Sequence, residues 1–269
     1  CNRLCINIKT QTGINSIKKE KEVFKLNTKD GEMLTYDKVI ISTGGSPKRK
    51  GLEWLENLGH KIENPVPSLF TFNMPHEKIT ELMGVVVENT ITRIKGEKLT
   101  AQGPLLITHW GMSGPAILVL SAFGARILAE KDYAFSVQVN WVNELNQELV
   151  QAELKEVSIK FAEKQLKNIR PYYLPTRLWL FLLEKVELDP ERRWDEIGKK
   201  GINKLLNVLT NDEYEVMGKT TFKEEFVTCG GVSLESVNMK TMESKVCPGL
   251  FFAGEVLDID AITGGFNFQ

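Results

Sequence analysis

A short apolar segment near the end of the chain constrains the fold more than any other stretch. Residues 250–253 follow a Pro-Gly turn, and an apolar run of this length is typical of a buried strand. Gly254 permits close approach of backbone or ligand, and Glu255 places a carboxylate where open α/β sheets bind ligands. The Thr-Gly-Gly at residues 263–265 then predicts a helix start with N–H groups open to an anion or a carbonyl-rich ring.

A second apolar run precedes another glycine pair. Residues 38–42 predict a strand that is covered on both faces in a parallel sheet. The run ends in Thr43, Gly44 and Gly45, which expose backbone at the end of the strand. These residues either pack against a cofactor or form a simple strand-to-loop turn, and the motif at residues 254–265 favours the first interpretation.

Several segments together resemble one family. They are residues 254–258 with 263–269, residues 39–45, residues 108–115, and residues 227–232 with 241–245. As a set they resemble a bacterial family of FAD-dependent, NAD(P)-linked oxidoreductases that includes aminoacetone oxidase and a dehydro-bile-acid reductase.

This resemblance implies a flavin site. An acid at the position of Glu255 would accept a hydrogen bond from a ribityl hydroxyl of FAD, since an ionised carboxylate is acceptor-only. The glycine pair and Asn267 would lie near the pyrimidine edge of the flavin, where a helix start stabilises negative charge. NAD(P)H or oxygen would be the other electron partner. The implied cofactor-binding residues are Thr43, Gly44, Gly45, Gly254, Glu255, Gly264, Gly265, Phe266 and Asn267.

Residues 109–114 predict a glycine-rich loop that contains the substrate-side candidates His109, Trp110 and Ser113, and Cys229 is a further candidate. His109 is a candidate catalytic residue because a histidine exchanges protons near neutral pH, and Trp110 offers a flat stacking surface. The alternative is equally open: His109 has its hydrogen bonds satisfied within the fold, and Trp110 is a core residue before a helix. For Cys229 a buried thiol is favoured over a redox disulfide with Cys247.

Composition narrows the choice of partners. A net charge of -1 gives no global electrostatic attraction to nucleic acid or membrane, and we expect neither as a partner. The resemblance implies a small-molecule substrate. Lys199, Lys200 and Lys204 are interpreted as a solvated helix face. The four cysteines fit no zinc spacing, no metal site is expected, and so few cysteines favour a reducing, cytoplasmic compartment.

The predicted fold class is α/β, and α+β overall: part of an FAD-binding Rossmann-like domain with an inserted β-barrel-like domain and a helical subdomain. No G-x-G-x-x-G turn follows a strand, so we expect a piece of a longer protein that lacks the phosphate-binding half. The alternative is a folded module without cofactor or activity of its own. The expected segments are a partial FAD domain at 1–64, the β domain at 65–145, the helices at 146–212, a return strand at 213–227, and the rest of the FAD domain at 228–269.

Overall fold

The computed structural model describes residues 6–220 and 227–259, which form two compact units. The first unit contains residues 6–66 and 227–259, and the second contains residues 67–220. The strands are β1 (Ile14–Glu20), β2 (Val23–Thr28), β3 (Met33–Tyr36), β4 (Val39–Ile41), β5 (Ile62–Ser68), β6 (Thr71–Asn73), β7 (Val86–Ile94), β8 (Thr100–Thr108), β9 (Gly111–Ser113), β10 (Ala134–Asn140), β11 (Asp212–Met217), β12 (Lys219–Thr220), β13 (Val227–Val232), β14 (Val237–Asn238), β15 (Glu243–Ser244) and β16 (Leu250–Phe252). The helices are α1 (Glu53–Glu56), α2 (Pro115–Phe123), α3 (Ala125–Glu130), α4 (Gln147–Lys160), α5 (Thr176–Lys185) and α6 (Gly198–Thr210).

In the first unit, β4 and β16 pair in parallel, at one edge of the sheet β14-β15-β16-β4. Both strands were predicted from their apolar runs. The expected burial of both faces of β4 is wrong for the described residues, because β4 is the edge strand of this sheet. Ile40 is 69% exposed, whereas its neighbour Ile41 is buried.

The remaining sheets of the first unit are small. The three-stranded sheet β1-β2-β3 is antiparallel, and β13 pairs with β5. The apolar core of this unit lies around Phe24, Leu55, Val232, Leu250 and Phe252, all buried.

The second unit is organised around a seven-stranded sheet in the order β11-β10-β7-β8-β9-β6-β12. Strand β10 alternates as its sequence predicts, with Phe135, Val137 and Val139 buried in the core. The helices α4, α5 and α6 bury apolar faces in the same core, where the rings of Trp179 and Trp194 stack with centroids 6.2 Å apart.

The mixture of sheets and helices confirms the predicted mixed α/β class. The expected division into segments stays a prediction. Across residues 6–220 and 227–259, no helix combines the length and the apolar character that a membrane crossing requires.

Candidate functional site

The loops that follow β4 and β16 lie side by side. Parallel strands end at the same edge of a sheet, and Ala253 N donates to Ile41 O at 2.9 Å just beyond the last strand pair. Gly44 and Gly254 have φ values of 75° and 78°, a left-handed conformation that glycine adopts without strain. A Cβ built on Gly45 would lie 3.7 Å from Glu255 O. Two distant parts of the chain are therefore adjacent here.

A buried threonine lies against the loop that follows β4. Thr228 on β13 is 2% exposed, and a Cβ on Gly45 would lie 3.0 Å from its Oγ1 atom. This hydroxyl has no hydrogen-bond partner among the described residues. A buried hydroxyl left unpaired costs about 1–3 kcal/mol, so this one is suited to a partner that the protein itself does not supply. We call Thr43, Gly44, Gly45, Thr228, Gly254 and Glu255 together the glycine cluster.

Two further glycines, both in β13, allow neighbouring backbone to pack closely on this strand. A Cβ on Gly230 would lie 2.5 Å from Asn64 O, and one on Gly231 would lie 2.6 Å from Val256 O. Backbone on both sides of β13 can therefore approach only because these side chains are absent. The segment after Glu255 is tied to β13 at Val232, whose N donates to Val256 O at 2.9 Å.

Glu255 is half-buried in the turn that follows β16, on the side of the sheet where open sheets bind ligands. The predicted cofactor residues Gly264, Gly265, Phe266 and Asn267 lie outside the described residues. The roles of all these residues stay predictions, although the geometry brings Thr43, Gly44 and Gly45 together with Gly254 and Glu255.

Sequence reasoning selected Cys229 and missed Thr228. The side chains of Cys229 and Cys247 are both buried. Side chains alternate along a strand, so Thr228 and Cys229 point to opposite faces of β13. The available signal was the position of a hydroxyl residue two places before a glycine pair, but only the tertiary contact with Gly45 gives that position meaning.

The expected glycine-rich loop at residues 109–114 is wrong in part, because half of it, Gly111–Ser113, is strand β9. His109 and Trp110 form the two-residue turn between β8 and β9, and Thr108 pairs with Gly111. A Cβ on Gly111 would lie 2.1 Å from Phe72 O, so the hairpin requires glycine there. Ser113 is the last residue of β9 and pairs with Leu106.

At the tip of this hairpin, the imidazole and the indole form an edge-on pair with ring centroids 4.2 Å apart. Trp110 Nε1 donates to Thr71 Oγ1 at 3.2 Å, and Trp110 O accepts from Met74 N at 2.7 Å. The tryptophan is therefore anchored, while His109 is exposed. The proposed role of His109 as a proton donor or acceptor stays a prediction.

The second unit contains a buried carboxylate of a different kind. Asp212 is 3% exposed and accepts hydrogen bonds from Trp141 Nε1 at 2.9 Å, from Lys185 Nζ at 2.6 Å and from the Tyr214 hydroxyl. Burial raises the pKa of Asp212, and the ammonium of Lys185 opposes that rise. Since protein donors already occupy the carboxylate oxygens of Asp212, its role is structural.

No group of three or more His, Cys, Asp or Glu side chains that could hold a metal ion occurs within residues 6–220 and 227–259.

Residues 66–227, more than half of the chain, match the family model "HI0933-like protein barrel and H2TH domain". The chain is 28% identical to a ribosomal RNA dihydrouridine synthase of Escherichia coli, over 100% of this chain and 66% of the relative. It is 30% identical to the enzyme of the same name from Haemophilus influenzae, over 86% of this chain and 56% of the relative. A 3-dehydro-bile acid delta(4,6)-reductase of Clostridium scindens is 23% identical over 98% of this chain and 66% of the relative.

The chain thus spans about two thirds or less of the length of these curated relatives. The family and the reductase relative support the expected flavoprotein oxidoreductase at the level of class. The expected kinship with aminoacetone oxidase stays a prediction.

Proposed function

The chain belongs to the HI0933-like family, and we propose that it acts as a flavin-dependent oxidoreductase with FAD bound at the glycine cluster. The observation that carries this proposal is the buried Thr228 hydroxyl, which has no partner among the described residues and lies against Gly45 in the loop after β4. A polar ligand at these loops would satisfy it.

The residues of the glycine cluster suit the chemistry of this cofactor. Glu255 offers an acceptor for a ribityl hydroxyl, and the Thr228 hydroxyl can donate or accept. Gly44 and Gly254 leave backbone accessible without a side chain in the way. When bound, FAD supplies hydride chemistry, and the protein's own groups bind and orient it and exclude water.

For the substrate we favour a uracil base in RNA. Two relatives at 28% and 30% identity are named for the synthesis of dihydrouridine, a product in which a ring double bond has gained two hydrogens. A hydride added to one carbon requires a proton at its neighbour. The exposed His109 is our candidate for that proton transfer, and NAD(P)H is the proposed source of the hydride.

A small unsaturated molecule is the second candidate substrate. It is favoured by the reductase relative at 23% identity, whose name denotes the reduction of a bile-acid derivative, and by the chain's net charge of -1. The proposed place of action for either substrate is the cytoplasm.

The decisive first experiment is a titration of the chain with FAD, followed by quenching of flavin fluorescence. We expect saturable quenching, and a loss of affinity in Glu255→Ala. Glu235→Ala is the matched control, because Glu235 is an exposed acid of the same unit whose carboxylate lies 3.6 Å from Lys61 Nζ. Absence of FAD binding by the wild-type chain contradicts the proposed site and supports the alternative of a module without cofactor.

The substrate is tested with the natural gene product, FAD and NADPH. Ribosomal RNA is incubated, digested to nucleosides and analysed by mass spectrometry for uridine that has gained two hydrogens. An unsaturated bile-acid derivative is tested in parallel. Reduction of that derivative without any dihydrouridine would replace the first candidate by the second.

A further inference from the structure

Helix α6 differs from a typical surface helix in its charge. It contains three lysines and no aspartate or glutamate in 13 residues, although the whole chain has a net charge of -1. Lys199 and Lys200 are exposed, and neither has an ion pair among the described residues. The opposite face of the helix is buried in the core through Ile202, Leu205 and Leu209.

The exposed face forms a shallow depression of about 610 Å³ whose lining is made only of cations and amides. Its residues are Lys199, Lys200, Asn203, Lys204 and Asn207. Lysine and asparagine side chains all donate hydrogen bonds, and no carboxylate lines this depression. The depression therefore matches a ligand that is anionic and rich in acceptors.

Helix α4 extends the same surface. Asn203 Oδ1 accepts from Gln151 Nε2 at 3.2 Å, and Gln151 Oε1 accepts from Lys155 Nζ at 3.2 Å. Lys204 is partly occupied, since its Nζ donates to Val186 O at 2.6 Å and lies 3.4 Å from Glu187. The cations that this surface exposes to solvent are thus Lys155, Lys199 and Lys200. We call Lys155, Lys199, Lys200, Asn203, Lys204 and Asn207 the basic face.

The position of two of these lysines has an electrostatic cost. Lys199 and Lys200 lie in the first turn of α6, which has no acidic residue and no side-chain N-cap. Cations at this end oppose the helix dipole, and the first N–H groups lack side-chain acceptors. A bound phosphate would reverse both effects at once.

The large cleft of the same unit makes a useful contrast. It has a volume of about 1380 Å³ and is lined by Glu88, Glu144, Glu153 and Glu156, against two cations, Lys160 and Arg170. Arg170 is occupied by hydrogen bonds to Leu174 O and Thr176 Oγ1. That acidic cleft would repel a polyanion, so charge selects the basic face instead.

We propose that the basic face binds the sugar-phosphate backbone of RNA and positions an RNA substrate on this protein. This inference rests on the proposed function, in which the reduced base belongs to RNA. The sequence pattern alone favours a solvated helix face, which is the opposing interpretation that the experiment decides.

The test measures the anisotropy of a fluorescein-labelled, uridine-rich RNA oligonucleotide during titration with the wild-type chain and with the double variant Lys199→Glu/Lys200→Glu. No flavin or reductant is present. We expect the dissociation constant of the double variant to be about tenfold higher or more, and the salt dependence to weaken by roughly 0.7–0.9 in log–log slope per lost phosphate contact. The thermal unfolding temperature of the double variant should not fall, because glutamates in the first turn interact favourably with the helix dipole.

The matched control is Lys78→Glu/Lys98→Glu, which changes the same charge at two exposed lysines of the same unit outside α4 and α6. The proposal that the basic face binds RNA is supported if this control keeps its RNA affinity while the α6 variant loses affinity. Three results would each overturn the proposal. The wild type does not bind RNA, the two variants lose equal RNA affinity, or polyglutamate competes as effectively as unlabelled RNA. FAD titration of the α6 variant reports separately on the glycine cluster, so failure of one proposal is distinguished from failure of the other.

Discussion

Asp212 in the second unit and Thr228 in the first unit are both almost completely buried, yet their surroundings differ. The carboxylate of Asp212 receives three side-chain hydrogen bonds, from an indole, an ammonium and a phenol. The hydroxyl of Thr228 has none among the described residues, and it lies beside Gly45.

This difference separates a structural polar group from one that is available to a ligand. A buried polar group that is fully paired stabilises one arrangement of the chain around it. An unpaired one destabilises the protein until something else supplies the hydrogen bond. The same degree of burial therefore predicts opposite results when each group is removed.

The largest expected effect is the loss of the Asp212 carboxylate. Asp212→Ala leaves the Lys185 ammonium, the Trp141 N–H and the Tyr214 hydroxyl without their shared acceptor. We expect a loss of about 3–5 kcal/mol in the free energy of unfolding, measured by urea denaturation.

Its control is Glu213→Ala, which removes the neighbouring, more exposed carboxylate that pairs with Lys95. We expect that substitution to have a small effect, because exposed ion pairs contribute little. Similar losses in the two variants would contradict the structural role of Asp212.

The next effect tests how tightly β13 is packed beside the glycine cluster. In Gly230→Ala the new Cβ would lie 2.5 Å from Asn64 O, at a φ of 118°. We expect a loss of about 2–3 kcal/mol in unfolding free energy, from backbone strain and steric overlap together. Gly31→Ala also has a positive φ, 86°, but its Cβ meets nothing within 4 Å, so it isolates the conformational part. Gly230→Ala should be clearly the more destabilising of the two.

A smaller effect depends on pH. His60 is buried in the first unit, where Nδ1 donates to Leu55 O at 3.1 Å and Nε2 accepts from Ser244 Oγ at 2.8 Å. Burial lowers the pKa of His60 below its ordinary value of 6.5. The unfolded chain then binds more protons than the folded one, so stability falls as the pH drops from about 6.5 towards the folded-state pKa.

Thermal unfolding between neutral and mildly acidic pH measures this dependence in the wild type and in His60→Gln. The variant should lose the His60 contribution to the slope, whereas His76→Gln, at an exposed histidine, should keep it. An unchanged slope in His60→Gln would show that other groups cause the pH dependence.

The smallest effect on stability, and the one most specific to the comparison, is expected for Thr228→Val. Removing an unpaired hydroxyl should leave the unfolding free energy unchanged or slightly higher. If that hydroxyl bonds to FAD, the affinity for FAD should fall about tenfold, the value of one hydrogen bond of ~1.4 kcal/mol.

Thr92→Val is the matched control, because the buried Thr92 hydroxyl is already paired, with Ala101 O at 3.2 Å and Ala116 O at 3.3 Å. It should lower stability by about 1 kcal/mol and leave FAD affinity unchanged. The opposite pattern, with Thr228→Val destabilising and FAD affinity intact, would make Thr228 a structural residue.

The local sequence pattern was sufficient to predict the elements whose structure depends on residues close together in the chain. The apolar runs at residues 38–42 and 250–253 predicted β4 and β16. The glycines after β4 and β16 also indicated where backbone would be exposed, because carboxyl ends of parallel strands meet at one edge.

Contacts between distant parts of the chain decided the rest. Neither the unpaired hydroxyl of Thr228 nor the three donors on Asp212 follow from periodicity, since their neighbours come from remote segments. The loop expected at residues 109–114 became a hairpin because Gly111 packs against the backbone of Phe72. A sequence thus determines which segments are strands and where glycine frees the backbone. The pairing of a buried polar group depends on atoms that only the tertiary structure brings within hydrogen-bonding distance.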